Sequence, residues 1–130
     1  MDGYVYVRSN GITSNTTINS TGHLYVYSTA SALDNTVNKS GWIRIYAGGI
    51  ISNTTINPSG KIIVNSEASC VNAIMSGGIL SISNGGVVIS PTVSAGASLS
   101  VFSGGTALHV VSNVGAIIDA QPGAVITYDE

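Results

Sequence analysis

The sequence predicts an all-β fold, a parallel β-solenoid of about seven 19-residue rungs, and three observations carry that expectation. The stretch Asn53-Thr54-Thr55-Ile56-Asn57 nearly copies Asn15-Thr16-Thr17-Ile18-Asn19, and a weaker copy, Asp34-Asn35-Thr36-Val37-Asn38, lies midway, 19 residues from each. Apolar residues recur at fixed places within that period. No segment sustains the i, i+3, i+4, i+7 pattern of an amphipathic helix, and Ser, Thr, Asn, Gly and β-branched residues disfavour helix throughout. Units this short cannot bury their own apolar faces, so they must stack and share a core.

Placing the first residue of each unit at a Gly or Ala gives rungs starting at Gly3, Gly22, Gly41, Gly60, Gly78, Ala97 and Ala116, within a single repeat domain spanning 1–130. Every step is 19 residues except the one of 18 after Gly60. The third residue of each rung is Val5, Leu24, Ile43, Ile62, Leu80, Leu99 or Ile118, and the fifth is Val7, Val26, Ile45, Val64, Ile82, Val101 or Ala120. Two inward positions separated by one residue describe a strand with one face on the core.

The eleventh residue (Thr13, Ala32, Ile51, Cys70, Val88, Ala107, Ile126) gives a second inward row, and the sixteenth (Ile18, Val37, Ile56, Met75, Val93, Ser112) a third. Between them and the first strand, the ninth residue is Gly or Ala in every rung, from Gly11 and Ala30 to Gly105 and Ala124, as a corner with close backbone approach requires. Pro58, Pro91 and Pro122 fall at or near turns. The missing residue near Ser76-Gly77-Gly78 is expected in a turn, because the inward positions resume in phase on either side. An antiparallel meander would alternate the roles of successive strands, whereas here each unit repeats the same roles in the same order. Parallel stacking at ~4.8 Å per rung gives a rod of roughly 30 Å.

Composition narrows the partners. With 44% hydrophobic residues the chain can build a core, yet only 8% of residues are charged, far below the ~25% of an ordinary soluble domain. Four basic and six acidic side chains leave a net charge of −2, which supplies neither counterion release for nucleic acid nor a polybasic membrane footprint. The lone Cys70 excludes an internal disulfide and reads as a small buried hydrophobe. No apolar run approaches the ~18 residues of a membrane span, and Met1-Asp2-Gly3 leads straight into repeat sequence, so a fragment of a longer exported chain is expected.

Catalytic groups do not converge. His23 and His109 fall in the second and sixth rungs, roughly 19 Å apart along the stack. The acidic residues Asp2, Asp34, Glu67, Asp119, Asp129 and Glu130 are scattered, and no helix follows the Gly-Gly pairs to make a phosphate loop. The chain is therefore expected not to be an enzyme, and to need no cofactor or metal. Asn15, Asp34, Asn53 and Asn72, with Asn19, Asn38 and Asn57, read as amide ladders at turns; calcium would call for more carboxylates than Asp34 alone. Asn15-Thr16-Thr17 and Asn53-Thr54-Thr55 match the N-glycosylation pattern, a weak signal in so Asn/Thr-rich a chain. Tyr128-Asp129-Glu130 reads either as an acidic guard on an otherwise open strand edge or, since the last rung is short, as a point of truncation.

The outward residues of the first strand are the candidate contact face. Tyr4, His23, Trp42 and Lys61 share the second position of the first four rungs; Tyr6, Tyr25 and Arg44 share the fourth; Arg8, Tyr27 and Tyr46 share the sixth. Five of the six tyrosines and the only Trp thus map to one face of the first three rungs. Such a face either stacks on sugar rings or packs against another solenoid. Equally, it is a set of cross-strand ladders stabilising an exposed sheet, at about 0.2–1 kcal/mol per pair.

The pattern Gly48-Gly49-x-x-x-x-Thr54-x-Ile56-x-x-x-Gly60, recurring as Gly104-Gly105-Thr106-Ala107-Leu108, resembles the 19-residue repeat of AIDA-type self-associating autotransporter adhesins. That resemblance implies a right-handed parallel β-helix, exported to the bacterial cell surface as the passenger of an autotransporter, with roles in adhesion, autoaggregation and biofilm formation. It also implies self-association or host and matrix glycans as partners, and an O-heptosyltransferase that modifies Ser and Thr, making the passenger a glycoprotein. The chain departs from the pattern where Gly-Gly is replaced by Thr29-Ala30 and Glu67-Ala68, and it contains no translocating barrel. A glycan-binding β-helix of a surface or tailspike-like protein is the alternative; its enzymatic relatives need clustered Asp, Glu or Arg. An ice-binding solenoid ranks third, because the threonines fall in adjacent pairs rather than in a Thr-x-Thr column.

Overall fold

A computed structural model describes residues 3–128, and every regular element in that range is a β-strand. The leading strands of the seven rungs, Gly3–Val7, Gly22–Val26, Trp42–Ile45, Lys61–Val64, Ile79–Ile82, Ser98–Val101 and Ile117–Ala120, form one parallel sheet in rung order. Register is that of the repeat: Val7 pairs with Val26, and Val26 with Ile45. The remaining strands form a twelve-stranded sheet. It contains the second strands, from Ile12–Ser14 to Val125–Tyr128, and the two-residue third strands, from Thr17–Ile18 to Thr92–Val93. Thr106–Ser112 runs round the corner between these two sets and joins them.

Like lies above like because the core demands it. Leu24, Ile43, Ile62, Leu80 and Leu99 stack in one column, Val26, Ile45, Val64, Ile82 and Val101 in the next, all at 0–1% exposure. A fully buried Val, Leu or Ile contributes about 1.5–3 kcal/mol, so each interior rung is held chiefly by its neighbours. The inward columns open at the two ends of the described stack. Val5 is exposed and Thr13 half-buried at one end; at the other, Ile118 and Ile126 are half-buried and Ser112 and Ala120 exposed, since each lacks a rung on one side. The expected guard at Asp129-Glu130 lies outside the described residues.

Each of the first six rungs turns at three places, and each turn uses a left-handed residue. Asn10, Thr29, Gly48, Glu67, Gly85, Gly104 and Gly123 form the first such column; Asn15, Asp34, Asn53, Asn72, Ser90 and His109 the second; Thr21, Ser40, Ser59, Gly96 and Gly115 the third. The first and third are tight turns closed by bonds such as Gly49 N–H to Tyr46 O at 2.8 Å and Gly41 N–H to Asn38 O at 2.9 Å. Positive φ at the third residue of such a turn favours Gly or Asn. It also reverses the peptide: Gly48 N–H donates to Glu67 O, one rung onward, whereas strand amides such as Tyr46 N–H donate to the rung before. The ninth-position Gly/Ala column sits directly after the first turn, where a Cβ on Gly11 meets Arg8 O at 2.7 Å.

Thr29 and Glu67, the departures from Gly-Gly, therefore hold a conformation that their neighbours fill with Gly, at φ 63° and 64°. Left-handed backbone costs an ordinary L-residue about 1–2 kcal/mol, partly offset by the larger unfolded-state entropy of Gly. Glu67→Gly is accordingly expected to stabilise the protein by about 0.5–1 kcal/mol in urea unfolding; a loss of stability contradicts this account of the column.

The 18-residue rung is resolved as expected. Four residues, Asn57 to Gly60, link Ile56 to Lys61, whereas three, Ser76 to Gly78, link Met75 to Ile79, and pairing resumes in register on both sides. Pro58 and Pro122 lie in turns, and Pro91 directly follows the corner at Ser90. Cys70 is fully buried between Ile51 and Val88 in its column. Burial pushes its thiol up to about 12. Between pH of about 9 and 12 the unfolded chain loses this proton while the folded chain keeps it, so stability falls as pH rises through that window. Below it, thiol reagents are expected to label Cys70 only after unfolding; rapid labelling of the native protein contradicts its placement.

One interior column escaped the sequence pattern. The fourteenth residues Asn35, Thr54, Ala73, Pro91 and Val110 are buried, and Asn35 Nδ2 donates to Thr54 Oγ1 at 3.5 Å. Asn35 Oδ1 is buried without a hydrogen-bond partner.

Candidate functional site: an aromatic ladder on the leading sheet

Register alone brings the nine candidate residues together. Tyr4 pairs with His23 and His23 with Trp42; Tyr6 pairs with Tyr25 and Tyr25 with Arg44; Lys61 pairs with Trp42. Their side chains leave the sheet on the side opposite Leu24, Val26, Ile43 and Ile45, as strand alternation dictates. Tyr27 and Tyr46, just past the strand ends, keep the same spacing and lie parallel, with centroids 4.8 Å apart and planes 5° apart.

Most rings stack face to face along the rod. Tyr6 and Tyr25 are 5.1 Å apart at 11°, His23 and Trp42 4.9 Å apart at 19°, and Tyr25 and Tyr46 6.4 Å apart at 27°. Tyr4 meets His23 edge-on at 4.9 Å and 88°. The His23 Nδ1 and Tyr25 hydroxyl lie 3.2 Å apart, which ties the two columns.

Cations close the ladder. Arg8 lies over Tyr27 at 4.9 Å and over Tyr6 at 5.6 Å; Arg44 and Lys61 lie over Trp42 at 5.7 Å and 5.6 Å. Arg44 Nε is buried and without a hydrogen-bond partner, and the guanidinium lies against the Trp42 ring. The Tyr25 hydroxyl is raised above the ordinary tyrosine range, first by burial and then by the neighbouring Tyr6 and Tyr4, against a lowering by Arg44. It remains a neutral donor and acceptor at physiological pH.

The consequence for recognition is geometric. The ring faces of Tyr25, Tyr27 and Trp42 are occupied by other rings or by cations, so these present mainly edges and hydroxyls to solvent, whereas the stacking partners of Tyr46, Tyr25 and Tyr27, both lie on its second-rung side. Sugar stacking needs a free ring face. Half-buried Tyr25, Tyr27 and Trp42 offer little of one; Tyr4 and Tyr6, at 63% and 49% exposure, are more open.

The other predicted features lie elsewhere. His109 occupies the corner of Thr106–Ser112, in a different sheet from His23, and its N–H donates to Thr127 Oγ1 at 3.0 Å. Among the described residues no three His, Cys, Asp or Glu side chains are placed to hold a metal ion. The Asn ladder forms: Asn38 Nδ2 donates to Asn19 Oδ1 at 2.8 Å, Asn57 Nδ2 to Asn38 Oδ1 at 2.7 Å, and Asn72 Nδ2 to Asn53 Oδ1 at 3.3 Å. Thr17, Thr36 and Thr55 stand in one register column, which the adjacent pairing in the sequence had hidden; the neighbouring outward column is Asn19, Asn38 and Asn57, so no Thr-x-Thr array results.

The sequence pattern also passed over the outer side of the second strands. Ile12, Leu33, Ile50, Val71, Ile89 and Leu108 project there beside the buried eleventh-position row. Neither of the two outward columns is uniformly apolar, but reading them together reveals a continuous surface.

No family model matches the chain, and no curated protein matches it. Among solved structures it is similar to the TibC-catalysed hyper-glycosylated fragment 55-350 of TibA, at 27% sequence identity with a TM-score of 0.72. The match covers 95% of this chain and 53% of that one, so the chain spans about half the length of that solved fragment.

Proposed function

We propose that this chain is a non-enzymatic segment of an exported bacterial surface protein of the AIDA type, whose rod displays flat faces for self-association and attachment. The observation that carries the reading is the ordered aromatic ladder of Tyr4, Tyr6, His23, Tyr25, Tyr27, Trp42 and Tyr46 with its cations. A row of tyrosine edges and hydroxyls on a flat sheet suits contact with another extended surface. The occupied ring faces favour a second solenoid over the alternative of stacked glycans. Likeness to a hyper-glycosylated TibA fragment supports the same class and a sugar-transferring partner enzyme. Exposed turn hydroxyls such as Ser28, Ser40, Ser59 and Ser66 are the proposed acceptors.

Replacing Trp42, Tyr25 and Tyr46 together by Ser removes the centre of the ladder but no inward residue. Bacteria displaying the triple variant are expected to lose autoaggregation and attachment, with the far-UV circular dichroism of the purified chain unchanged. Wild-type aggregation by a folded triple variant contradicts the proposal.

A further inference from the structure

The outer side of the second strands carries no charged residue in any of its seven rungs. Large apolar and small hydroxyl residues instead alternate there in two columns of opposite phase. Ile12 stands beside Ser14 in the first rung, and Ser31 beside Leu33 in the second. The order flips again to Ile50 and Ser52 in the third and to Ser69 and Val71 in the fourth. Val87 and Ile89 are both large; Thr106 with Leu108 and Val125 with Thr127 then restore the alternation. Strand register puts these residues directly above one another through the first six rungs, and Val125 above Thr106 before a register shift in the seventh, so the face is a checkerboard of knobs and recesses. Ile12 is 70% exposed, Ile50 43% and Leu33 36%, in a chain whose core aliphatics, Val7 at 7% apart, are at 0–1%.

We propose that this face packs against the same face of a second copy of the chain, the two rods side by side and parallel. Rotation by 180° about an axis along the rod sets the tenth-position column of one copy opposite the twelfth-position column of the other, at the same level. Ile50 then faces the recess at Ser52 of its mate, Leu33 the recess at Ser31, and Val71 the recess at Ser69; only the Val87 and Ile89 rung opposes large to large. A self-complementary surface of this kind makes an isologous contact. Interdigitated side chains of facing sheets make it dry. With no charge on either side, like-charge repulsion does not oppose the contact.

Seven rungs at ~4.8 Å and three residues at ~3.3 Å cover roughly 300 Å² per copy. That is well below the ~800 Å² per partner of a stable complex, so this chain forms a weak, concentration-dependent dimer that strengthens with added rungs. The inference rests on the self-association reading for its biological use, but it concerns a different face, and the parallel pairing leaves the aromatic ladder uncovered.

Sedimentation equilibrium of the whole chain, from micromolar to millimolar concentration, tests it. The wild type is expected to show a monomer–dimer equilibrium. Leu33→Lys with Ile50→Lys should raise the dissociation constant at least tenfold without changing far-UV circular dichroism. Ser52→Leu, which fills a recess without adding charge, should do the same. Mixed Ile50→Cys and Ser52→Cys proteins should cross-link to each other more readily than either to itself. A monomer across the whole range, or a dimer lost only in the Trp42, Tyr25 and Tyr46 triple variant, overturns the inference. The first of these leaves the proposed function standing if that triple variant still loses autoaggregation; loss of aggregation in Leu33→Lys/Ile50→Lys alone supports the inference and moves the adhesive face away from the ladder.

Discussion

Gly78→Ala is expected to destabilise the protein by about 3 kcal/mol, the sum of a left-handed backbone penalty and a clash that cannot relax. Gly78 has φ +75°, and a Cβ placed there meets Gly60 O at 2.5 Å, Ile56 Cγ2 at 2.6 Å and Asn57 O at 2.9 Å. Neither carbonyl is free to move: Gly60 O accepts Ile79 N–H at 3.0 Å, and Asn57 O accepts Gly60 N–H at 2.9 Å. The position is demanding because the turn there is one residue short. In full-length turns the left-handed residue stands one place earlier, at Thr21, Ser40, Ser59, Gly96 or Gly115, and the first position of the next rung accepts Ala97 and Ala116. Inserting one Ser between Gly77 and Gly78 should restore the ordinary turn and recover most of the stability lost in Gly78→Ala. Urea unfolding reads both changes. A Gly78→Ala variant within about 0.5 kcal/mol of wild type contradicts the turn geometry.

Ile43→Ala is expected to cost about 3–4 kcal/mol, within the usual range for truncating a buried Ile. The side chain is fully buried between Leu24 and Ile62 in its column. Its loss leaves a void that rigid neighbours above and below cannot fill, since each is fixed by its own strand pairing. A rung coupled only to its neighbours transmits this defect locally. Hydrogen exchange should therefore accelerate most in the second to fourth rungs. Ile117→Ala is the matched control: Ile117 projects outward and is 52% exposed, and its truncation should cost less than about 1 kcal/mol. Equal losses for the two variants contradict the assignment of inward and outward positions.

Much of this architecture was legible because a period places like above like. Val7, Val26 and Ile45 are unremarkable separately; at 19-residue spacing they form a column, and the column predicts the pairing observed. The short rung was placed correctly because the apolar positions on either side of Ser76-Gly77-Gly78 stay in phase. The fourteenth-position column was missed because Thr16, Asn35 and Thr54 look like surface residues, and the column turns apolar only from Ala73 onward. There a buried amide finds its partner one rung away, which no local pattern reveals.

The candidate site was legible in position but not in orientation. Strand alternation brings Tyr25, Trp42 and Tyr46 to one face, but whether rings present faces or edges depends on side-chain torsions that the period does not specify. Stacking along the rod covers the faces of Tyr25, Tyr27 and Trp42 and leaves Tyr4 and Tyr6 more open. The apolar checkerboard was overlooked for a different reason. Ile12, Ser31, Ile50 and Ser69 alternate within one column, so that column averages to neutral; its mirror column of Ser14, Leu33, Ser52 and Val71 must be read beside it.

The most direct test of the parallel, in-register stack is a set of spin-label distances along one column. The sixth position of successive rungs, from Arg8 and Tyr27 to Phe102 and Gln121, should form a straight line. Nitroxide pairs at Tyr27 and Phe102, Arg8 and Phe102, and Arg8 and Gln121 span four, five and six rises of ~4.8 Å. Backbone separations of roughly 19, 24 and 29 Å, increasing linearly with rung number, are the predicted result. Separations that fail to grow with rung number, or that alternate between short and long as antiparallel hairpins require, would contradict it.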